Sequence, residues 1–302
     1  MAVVLALDGV GCGAVARQAP TDEPDAPVPE SDDGAGDTGA DFTSEFAPDQ
    51  PAWTTEDAVT EMEAALGPGI PDLWAFDRAY DAIVAEHDDL CPTRRFAGGD
   101  NFGPWVAESC TTTSGFTFDG DVSDLAATVV DEDGSTDTIR RLGGWGTITN
   151  GDGCQYYQSG QADIECAVDA DANLVWNAVF SGGFQARRGD GWAAIGGQAS
   201  VFFTGTRAGD DTVAALSVHG GVHSGTNVLD FEAVSLGTAD CGASVAGELR
   251  IQDPTGYWWR LAFGDGCEAC GRLRWESLDG GEVCLGSAII EPLSAVAGAT
   301  CR

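Results

Sequence analysis

The fold is decided by residues 248–263, which read ELRIQDPTGYWWRLAF. At their centre, Asp253 to Gly256 form a typical turn sequence, with proline in the second position and glycine in the fourth. On both sides of this turn every second residue is apolar, which is the pattern of a strand with one buried face. The segment therefore predicts two antiparallel strands joined by a tight turn.

The alternation in this segment separates a core face from an outer face. The predicted core face continues into a third strand and consists of Leu249, Ile251, Tyr257, Trp259, Leu261, Phe263, Leu273 and Trp275. The predicted outer face carries Glu248, Arg250, Gln252, Trp258, Arg260, Arg272 and Arg274. The register is well specified, since a slip by one residue would exchange the two faces.

The predicted outer face combines four arginines with a tryptophan. Guanidinium groups bind carboxylate, phosphate and sulfate groups, and the indole ring offers a surface for stacking. We therefore predict a binding face formed by Trp258, Arg250, Arg260, Arg272 and Arg274. The alternative is that these arginines pair with Glu248 and Glu276 across the strands, or pack against a second sheet.

The chain has a similar strand-like character from residue 91 onward. Short runs alternate in polarity between turn residues, as in Leu174, Trp176, Ala178 and Phe180. No helix-length pattern separates these runs, so parallel β-α-β units are not expected. The predicted fold is mainly β, as an antiparallel meander, a sandwich or an open barrel, with a short N-terminal helical hairpin. The 42 glycines show no strict period, so no solenoid is predicted.

Residues 51–90 are predicted to form a helical neck of two helices. Thr54 with Asp57 three residues later is a helix-capping pattern, and apolar residues follow at helical spacing. We expect residues 67–69, Gly-Pro-Gly, to end the first helix and the second helix to begin near Pro71. Residues 91–302 would then form a disulfide-bonded β domain.

The N-terminal region is predicted to be a signal followed by a tether. Residues 1–17 resemble the end of a bacterial signal peptide with a lipobox, which predicts lipidation of Cys12; the alternative is an ordinary N-terminus with a chance cysteine. Residues 18–50 carry many acidic residues and no basic one. Such a segment buries too little apolar area to offset its ordering entropy, so we predict a disordered acidic tether.

The charge of the chain restricts its partners. There are 49 acidic residues against 14 basic ones, all of them arginine, and the formal net charge is −35. A surface of this sign repels phosphate backbones and anionic lipids. We therefore expect no nucleic-acid partner, and contact with a membrane only through a lipid anchor at Cys12.

Ten cysteines in 302 residues indicate disulfides formed in an oxidising compartment. The predicted disulfide cysteines are Cys91, Cys110, Cys154, Cys166, Cys241, Cys267, Cys270 and Cys284. The first two are predicted to form one local pair and the next two another, whereas the last four allow three connectivities. Cys301 is left over if Cys12 is lipidated. The strand-like spacers disfavour a zinc site or a redox role for Cys267 and Cys270.

No cofactor or metal site is predicted. His219 and His223 would share one face of a strand, but the sequence points to no third ligand. Asp131, Asp133 and Asp137, with Gly134, are typical of a hairpin turn, with weak calcium binding as the alternative. The chain contains no serine-elbow, Walker, dinucleotide-binding or zinc-protease motif.

Several motifs together resemble one group of proteins. They are Cys91-Pro92, Cys110-Thr111, the stretch from Gly247 to Arg250 through Gly256 to Trp259, and Cys267 with Cys270, Gly271 and Cys284. In these motifs, and in an acidic leader before a cysteine-containing β domain, the chain resembles uncharacterised secreted lipoproteins of myxobacteria. The resemblance covers residues 50–290; it implies export and a β domain, and it implies no activity.

We therefore expect an exported protein, secreted or lipid-anchored at the outer cell surface, with a binding or structural role rather than an enzymatic one. Its expected partner is an anionic glycan or another component of the cell envelope. The alternatives are an extracellular hydrolase that uses two unidentified carboxylates, and a purely structural component of the cell envelope.

Overall fold

The computed structural model describes residues 50–85, 91–94, 105–188, 191–193, 198–207, 215–224, 227–239, 242–264 and 268–299. The helices are α1 (Thr55–Asp72), α2 (Ala75–Ala85) and α3 (Ser287–Ala299). The strands are β1 (Thr93–Arg94), β2 (Trp105–Thr111), β3 (Thr117–Val130), β4 (Thr136–Thr149), β5 (Gln155–Val168), β6 (Leu174–Arg188), β7 (Gly191–Ala193), β8 (Gln198–Arg207), β9 (Ala215–Ser224), β10 (Asn227–Ala239), β11 (Gly242–Gln252), β12 (Trp258–Phe263), β13 (Cys270–Trp275) and β14 (Leu278–Cys284). The predicted signal segment, nearly all of the tether, and the cysteines at 12, 241, 267 and 301 lie outside the described residues.

The described strands form one antiparallel sheet. From β1 to β14 the strands follow the order of the chain, except that the short β7 pairs only with β6, which pairs onward with β8. The end strands β1 and β14 are not paired with each other in the part of the chain described, so this sheet is open. The antiparallel meander, one of the three predicted architectures, is confirmed.

The helices pack on one face of this sheet. Helix α2 lies against β4 to β6, whereas α1 and α3 lie against each other and against β10 and β11. Buried helical side chains such as Met62, Trp74, Tyr80 and Leu293 belong to the same core as Trp176 of the sheet. Because a sheet of this width rarely stays flat, and its inner side chains all share this one core, we infer that it curls around the helices.

The core face predicted around the Asp253 turn is confirmed. Leu249, Ile251, Trp259, Leu261 and Leu273 are fully buried. Burial of each such side chain stabilises the fold by roughly 1.5–3 kcal/mol relative to exposure. The opposite side chains of these strands therefore face outward, as the alternation requires.

The predicted break between the first two helices is wrong. Helix α1 continues through residues 67–69 to Asp72, and α2 follows from Ala75. Leu66 and Ile70, on either side of the break, are both buried in the core. Burial of this face therefore outweighs the low helix propensity of glycine and proline.

The predicted start of α1 is confirmed. The carboxylate of Asp57 accepts a hydrogen bond of 2.9 Å from the backbone N–H of Thr54, which lowers the pKa of Asp57.

Helix α3 contradicts the expectation that residues after 91 form strands alone. Its buried Ile289, Leu293 and Val296 have helical spacing, and the helix tolerates an internal proline. None of the three described helices is long and apolar enough to span a membrane.

Five hairpin turns share one geometry. They begin at Thr112, Asp131, Asn150, Asp169 and Asp253. In each turn the backbone N–H of the first residue donates to the carbonyl of the fifth at 2.8–3.0 Å, and the N–H of the fourth donates to the carbonyl of the first at 2.9–3.1 Å. The fourth residue always has a positive φ. This geometry is a type I turn followed by a left-handed residue, which closes a hairpin without splaying its strands.

The first four of these turns are regularly spaced. Strands β3, β4 and β5 have 14 residues each, so the turns begin every 19 residues. Against the expectation of no strict period, the glycines at 115, 134 and 153 follow this spacing. The turn predicted at Asp131–Gly134 is confirmed as one member of the series.

Two disulfides join cysteines among the described residues. Cys91 bonds to Cys110 of β2, as predicted. Cys270 bonds to Cys284, which lies directly opposite it across β13 and β14. This bond selects one pair among the last four predicted disulfide cysteines.

The predicted bond between Cys154 and Cys166 is wrong. Both residues are disulfide-bonded, but they lie at opposite ends of β5, whose pairing with β4 and β6 is continuous. Twelve residues span at most roughly 40 Å when extended, and a bend in the paired strand still leaves its two ends far beyond the Cα separation of about 7 Å that a disulfide requires. Each is therefore bonded to a different cysteine.

A charged cluster lies between α2 and β4. Nε of Arg140 approaches Oδ1 of Asp77 to 2.8 Å without hydrogen-bond alignment, and Nη1 of Arg140 contacts Asp81 one turn further along α2. Burial raises the pKa of Asp77 to about 6, although Arg140 acts in the opposite direction. Burial also opposes the charge of Arg140, but the two carboxylates outweigh it and raise the pKa of Arg140. This cluster attaches the helical layer to the sheet.

Ala172 allows a test of the turn geometry. It has a φ of 62° at the position where the other four turns have glycine. Because a side chain costs about 1 kcal/mol in the left-handed region, Ala172→Gly should raise the free energy of unfolding by about 0.5–1 kcal/mol. The matched control Gly134→Ala, at a φ of 89° and with open space around the added Cβ, should lower it. Urea unfolding measures both; changes of the same sign would contradict the shared geometry.

Asp77→Asn should change the pH dependence of folding. Because the pKa of Asp77 is raised from 3.8 to about 6, the folded state binds this proton more tightly than the unfolded state. The stabilisation is therefore fully present below pH ~4 and is lost as the pH rises through ~6. Asparagine stays neutral, so the unfolding free energy of the variant relative to wild type should rise by about 2–3 kcal/mol over this range. Denaturant unfolding at a series of pH values tests this, and a constant difference between the proteins would contradict it.

Candidate binding face on strands β11 to β13

The register of the last strands aligns three arginines. Arg250 of β11 lies directly opposite Arg260 of β12, and Arg260 lies directly opposite Arg274 of β13. We call these three residues the arginine row. They face outward because their strand neighbours Ile251 and Trp259 are buried. Like charges in directly opposed positions destabilise a sheet, so this arrangement requires compensation by anions.

Carboxylates of the protein compensate the first member of the row. Nε of Arg250 donates to Oε1 of Glu248 at 2.6 Å, and Nη1 lies 3.5 Å from Oδ2 of Asp230. Glu232 of β10 forms a third ion pair with the same guanidinium group. The alternative of pairing with acidic neighbours therefore holds for Arg250.

The predicted site residue Arg272, next to the row, is also compensated. Its guanidinium donates a hydrogen bond to Asp279 of β14, which raises the pKa of Arg272. The same bond, with a second one from the backbone N–H of Gly281 at 3.0 Å, lowers the pKa of Asp279. Asp279 is therefore ionised at neutral pH and holds Arg272.

Arg260 and Arg274 differ from these two arginines. Both are exposed, and neither forms an ion pair with any carboxylate among the residues that the structure describes. Arg274 attracts Asp279 through space, but the hydrogen bond of Asp279 goes to Arg272. Asp279 also lies directly opposite Arg274 in the register of β13 and β14. The centre of the predicted binding face is thus a pair of opposed guanidinium groups, neither of which forms an ion pair with a described carboxylate.

Trp258 borders this pair. It lies two residues before Arg260 on the same face of β12, and it is half-buried. Gln252 lies directly opposite Trp258, and its side-chain amide donates to the carbonyl of Gly256 at 2.7 Å. The neighbours of Trp258 on this face are therefore Gln252 across on β11 and Arg260 along its own strand.

The scaffold beneath this face is rigid. The buried carboxylate of Asp253 accepts backbone hydrogen bonds from Thr255 at 2.9 Å and from Tyr257 at 3.4 Å, within the turn that joins β11 to β12. It also accepts a bond of 3.1 Å from the backbone N–H of Ala52, next to α1. The Cys270–Cys284 disulfide ties β13 to β14. The backbone positions of Arg260 and Arg274 are therefore fixed before any ligand binds.

The two predicted strand histidines do not form a metal site. His219 and His223 are both exposed on β9, as the alternation requires. Among the residues that the structure describes, neither histidine lies in a group of three potential metal ligands.

Other potential ligand groups among the described residues have structural roles. The one cluster of three potential ligand atoms consists of Glu268, Cys270 and Cys284, and its two sulfurs are bonded to each other. Oδ1 of Asp133 accepts hydrogen bonds from the backbone N–H and the hydroxyl of Ser135, which lower the pKa of Asp133. These carboxylate contacts account for the acidic turn without a calcium ion.

Sequence reasoning missed two exposed aromatic side chains on the same outer face. Trp145 of β4 is 48% exposed and Phe202 of β8 is 50% exposed. The glycines around Trp145 interrupt the alternation of β4. Leu142 and Ile148, both buried and both even-numbered, are the signal that could have placed Trp145 on the outer side.

Comparison with known proteins adds no relative to this description. No protein-family model, no curated protein and no solved structure matches the chain. The role of the arginine row therefore has to be argued from its own geometry and charge.

Proposed function

We propose that this is an exported binding protein that holds an acidic sugar group of a glycan between Arg260 and Arg274. The observation that carries the proposal is the pair of directly opposed guanidinium groups that form no ion pair, on a protein with a net charge of −35. A carboxylate or sulfate between them would relieve the repulsion of opposed like charges and accept charge-assisted hydrogen bonds.

The carboxylates around the pair limit what it can bind. Glu232, Glu248, Asp279 and Glu282 lie on the flanking strands at or near Arg250 and Arg272. A densely charged polyanion would meet all of these carboxylates and be repelled. A single acidic group between Arg260 and Arg274 would meet only Asp279, which lies directly opposite Arg274 and is already hydrogen-bonded by Arg272. Trp258 supports a sugar as the bearer of this group, because an indole ring packs against the apolar face of a sugar ring.

Export is part of the same proposal. Disulfides persist in oxidising compartments and are rare in the cytosol. The Cys270–Cys284 bond lies at the surface, with Cys284 exposed, so a reducing cytosol would have access to it. Lipidation of Cys12 stays a prediction, since this residue lies outside the described part of the chain.

The double variant Arg260→Gln, Arg274→Gln tests the proposal. It removes two directly opposed like charges and no ion pair, so the melting temperature should stay the same or rise. The affinity for a disaccharide that carries one glucuronic acid should fall by about ten-fold or more at low salt. Calorimetric titration against the neutral disaccharide of the same linkage gives the charge-dependent part.

The matched control is the double variant Arg78→Gln, Arg141→Gln. It has the same net charge, and both exchanged residues are exposed and distant from β12 and β13 in the sheet order. Because Arg141 pairs with Asp163 at 2.7 Å, the melting temperature of this control is measured as well. The control should bind the acidic disaccharide as wild type does. Equal affinity of wild type and the Arg260/Arg274 variant, or no binding of acidic sugars by wild type, would refute the proposed function.

A further inference from the structure

The arginine row is one end of a longer line of opposed residues on the outer face. Six residues precede it on strands β3 to β9, namely Ser123, Gly143, Gln161, Ser181, Ser200 and Gly221. Gly221 lies opposite Asp230, and Asp230 lies opposite Arg250. We call the line from Ser123 to Arg274 the polar track. It crosses ten strands, which at about 4.8 Å per strand makes it roughly 43 Å long.

The side chains along the first six strands are small and polar. Ser123, Gln161, Ser181 and Ser200 are exposed, and the two glycines between them add no side chain. Larger side chains stand on both sides. Trp145 lies two residues from the track along β4, and Phe202 lies two residues from it along β8 on the opposite side. The polar track is therefore a shallow strip of hydrogen-bonding groups, with the aromatic side chain of Trp145 on one side and that of Phe202 on the other.

Trp145 and Trp258, both on the outer face, lie on the same side of the polar track. Trp145 follows Gly143 on β4, and Trp258 precedes Arg260 on β12, where the chain runs in the opposite direction. Seven strand spacings, roughly 34 Å, separate them. The serine and glutamine side chains between them can both donate and accept hydrogen bonds.

This pattern matches the chemistry of a sugar chain. Sugars present hydroxyl groups at their edges and apolar faces to aromatic rings. The six track residues on strands β3 to β9 carry no charge, and Arg141, which lies two residues from the track on β4, is paired with Asp163. A nucleic acid or another dense polyanion would therefore find no free counter-charge along these positions. The arginine row at one end of the polar track accepts an acidic group. The other track residues are neutral except for Asp230, which is paired with Arg250.

We propose that the polar track binds a single linear glycan of mainly neutral sugars, with an acidic substituent held between Arg260 and Arg274. This inference rests on the proposed function and extends it from one acidic sugar to a chain long enough to reach Trp145.

The test uses xylo-oligosaccharides that each carry one glucuronic acid, from disaccharide to decasaccharide. The affinity of wild type should rise with length until the chain reaches Trp145, by about ten-fold in total. Trp145→Ala should remove this gain for the long oligosaccharides and leave the affinity for the disaccharide unchanged. Arg260→Gln with Arg274→Gln should weaken binding at every length.

The matched control is Ile139→Ala. Ile139 lies on the same strand and face as Trp145 and is similarly exposed, at 41%, but it lies off the track. This variant should keep the full length dependence. Melting temperatures of all variants verify folding.

Two results would contradict the proposal that the polar track binds a linear glycan. One is an affinity that does not depend on chain length while the disaccharide still binds; in that case the proposed function survives. The other is a concentration-dependent self-association that Trp145→Ala abolishes, which would make this face a contact between copies of the chain. Absence of binding by any acidic probe would refute the track and the proposed function together.

Discussion

Close backbone contact along a line of glycines determines how this sheet is built. Gly160 of β5 lies directly opposite Gly182 of β6, and a Cβ atom on these residues would lie 2.1 and 2.3 Å, respectively, from a carbonyl oxygen of the neighbouring strand. The same holds for Gly144 of β4, which lies directly opposite Gly160, at 2.2 Å. Gly220 of β9 makes an equally close approach of 2.1 Å, two residues off this line, opposite Val201. Glycines inside strands permit such close approach and sharp bending. We infer that long strands bend at this line and bring both of their halves onto one helical core.

The same line of glycines explains the outer surface. Gly143, Gln161, Ser181 and Gly221 of the polar track are each the direct chain neighbour of one of these four glycines. Because successive residues of a strand face opposite sides, the inner glycine positions place these neighbours on the outer face. The inner glycines that permit the sheet to bend therefore also place the small polar residues of the polar track on its outer face. The turn at Asp253 and the Cys270–Cys284 disulfide then fix the strands that carry the arginine row.

The sequence predicted the parts of the fold that depend on local pattern. Alternation around Asp253 was sufficient to separate the buried Trp259 from the outward Arg260, because a period of two is unambiguous next to a clear turn. The helix through residues 67–69 required knowledge of the core that buries Leu66. The disulfide partners of Cys154 depend on the sheet order. The polar track depends on register across ten strands, and no local pattern contains it.

The central claim is that one outward line of the sheet is the ligand-binding surface. Nuclear magnetic resonance of the indole N–H groups tests it most directly, in a titration with the longest acidic xylo-oligosaccharide. The account predicts that the signals of Trp145 and Trp258 shift together at one binding constant, whereas those of Trp176 and Trp259, which are buried in the core, do not. Shifts confined to Trp53 and Trp74 on the helical side, with Trp145 and Trp258 unchanged, would contradict it.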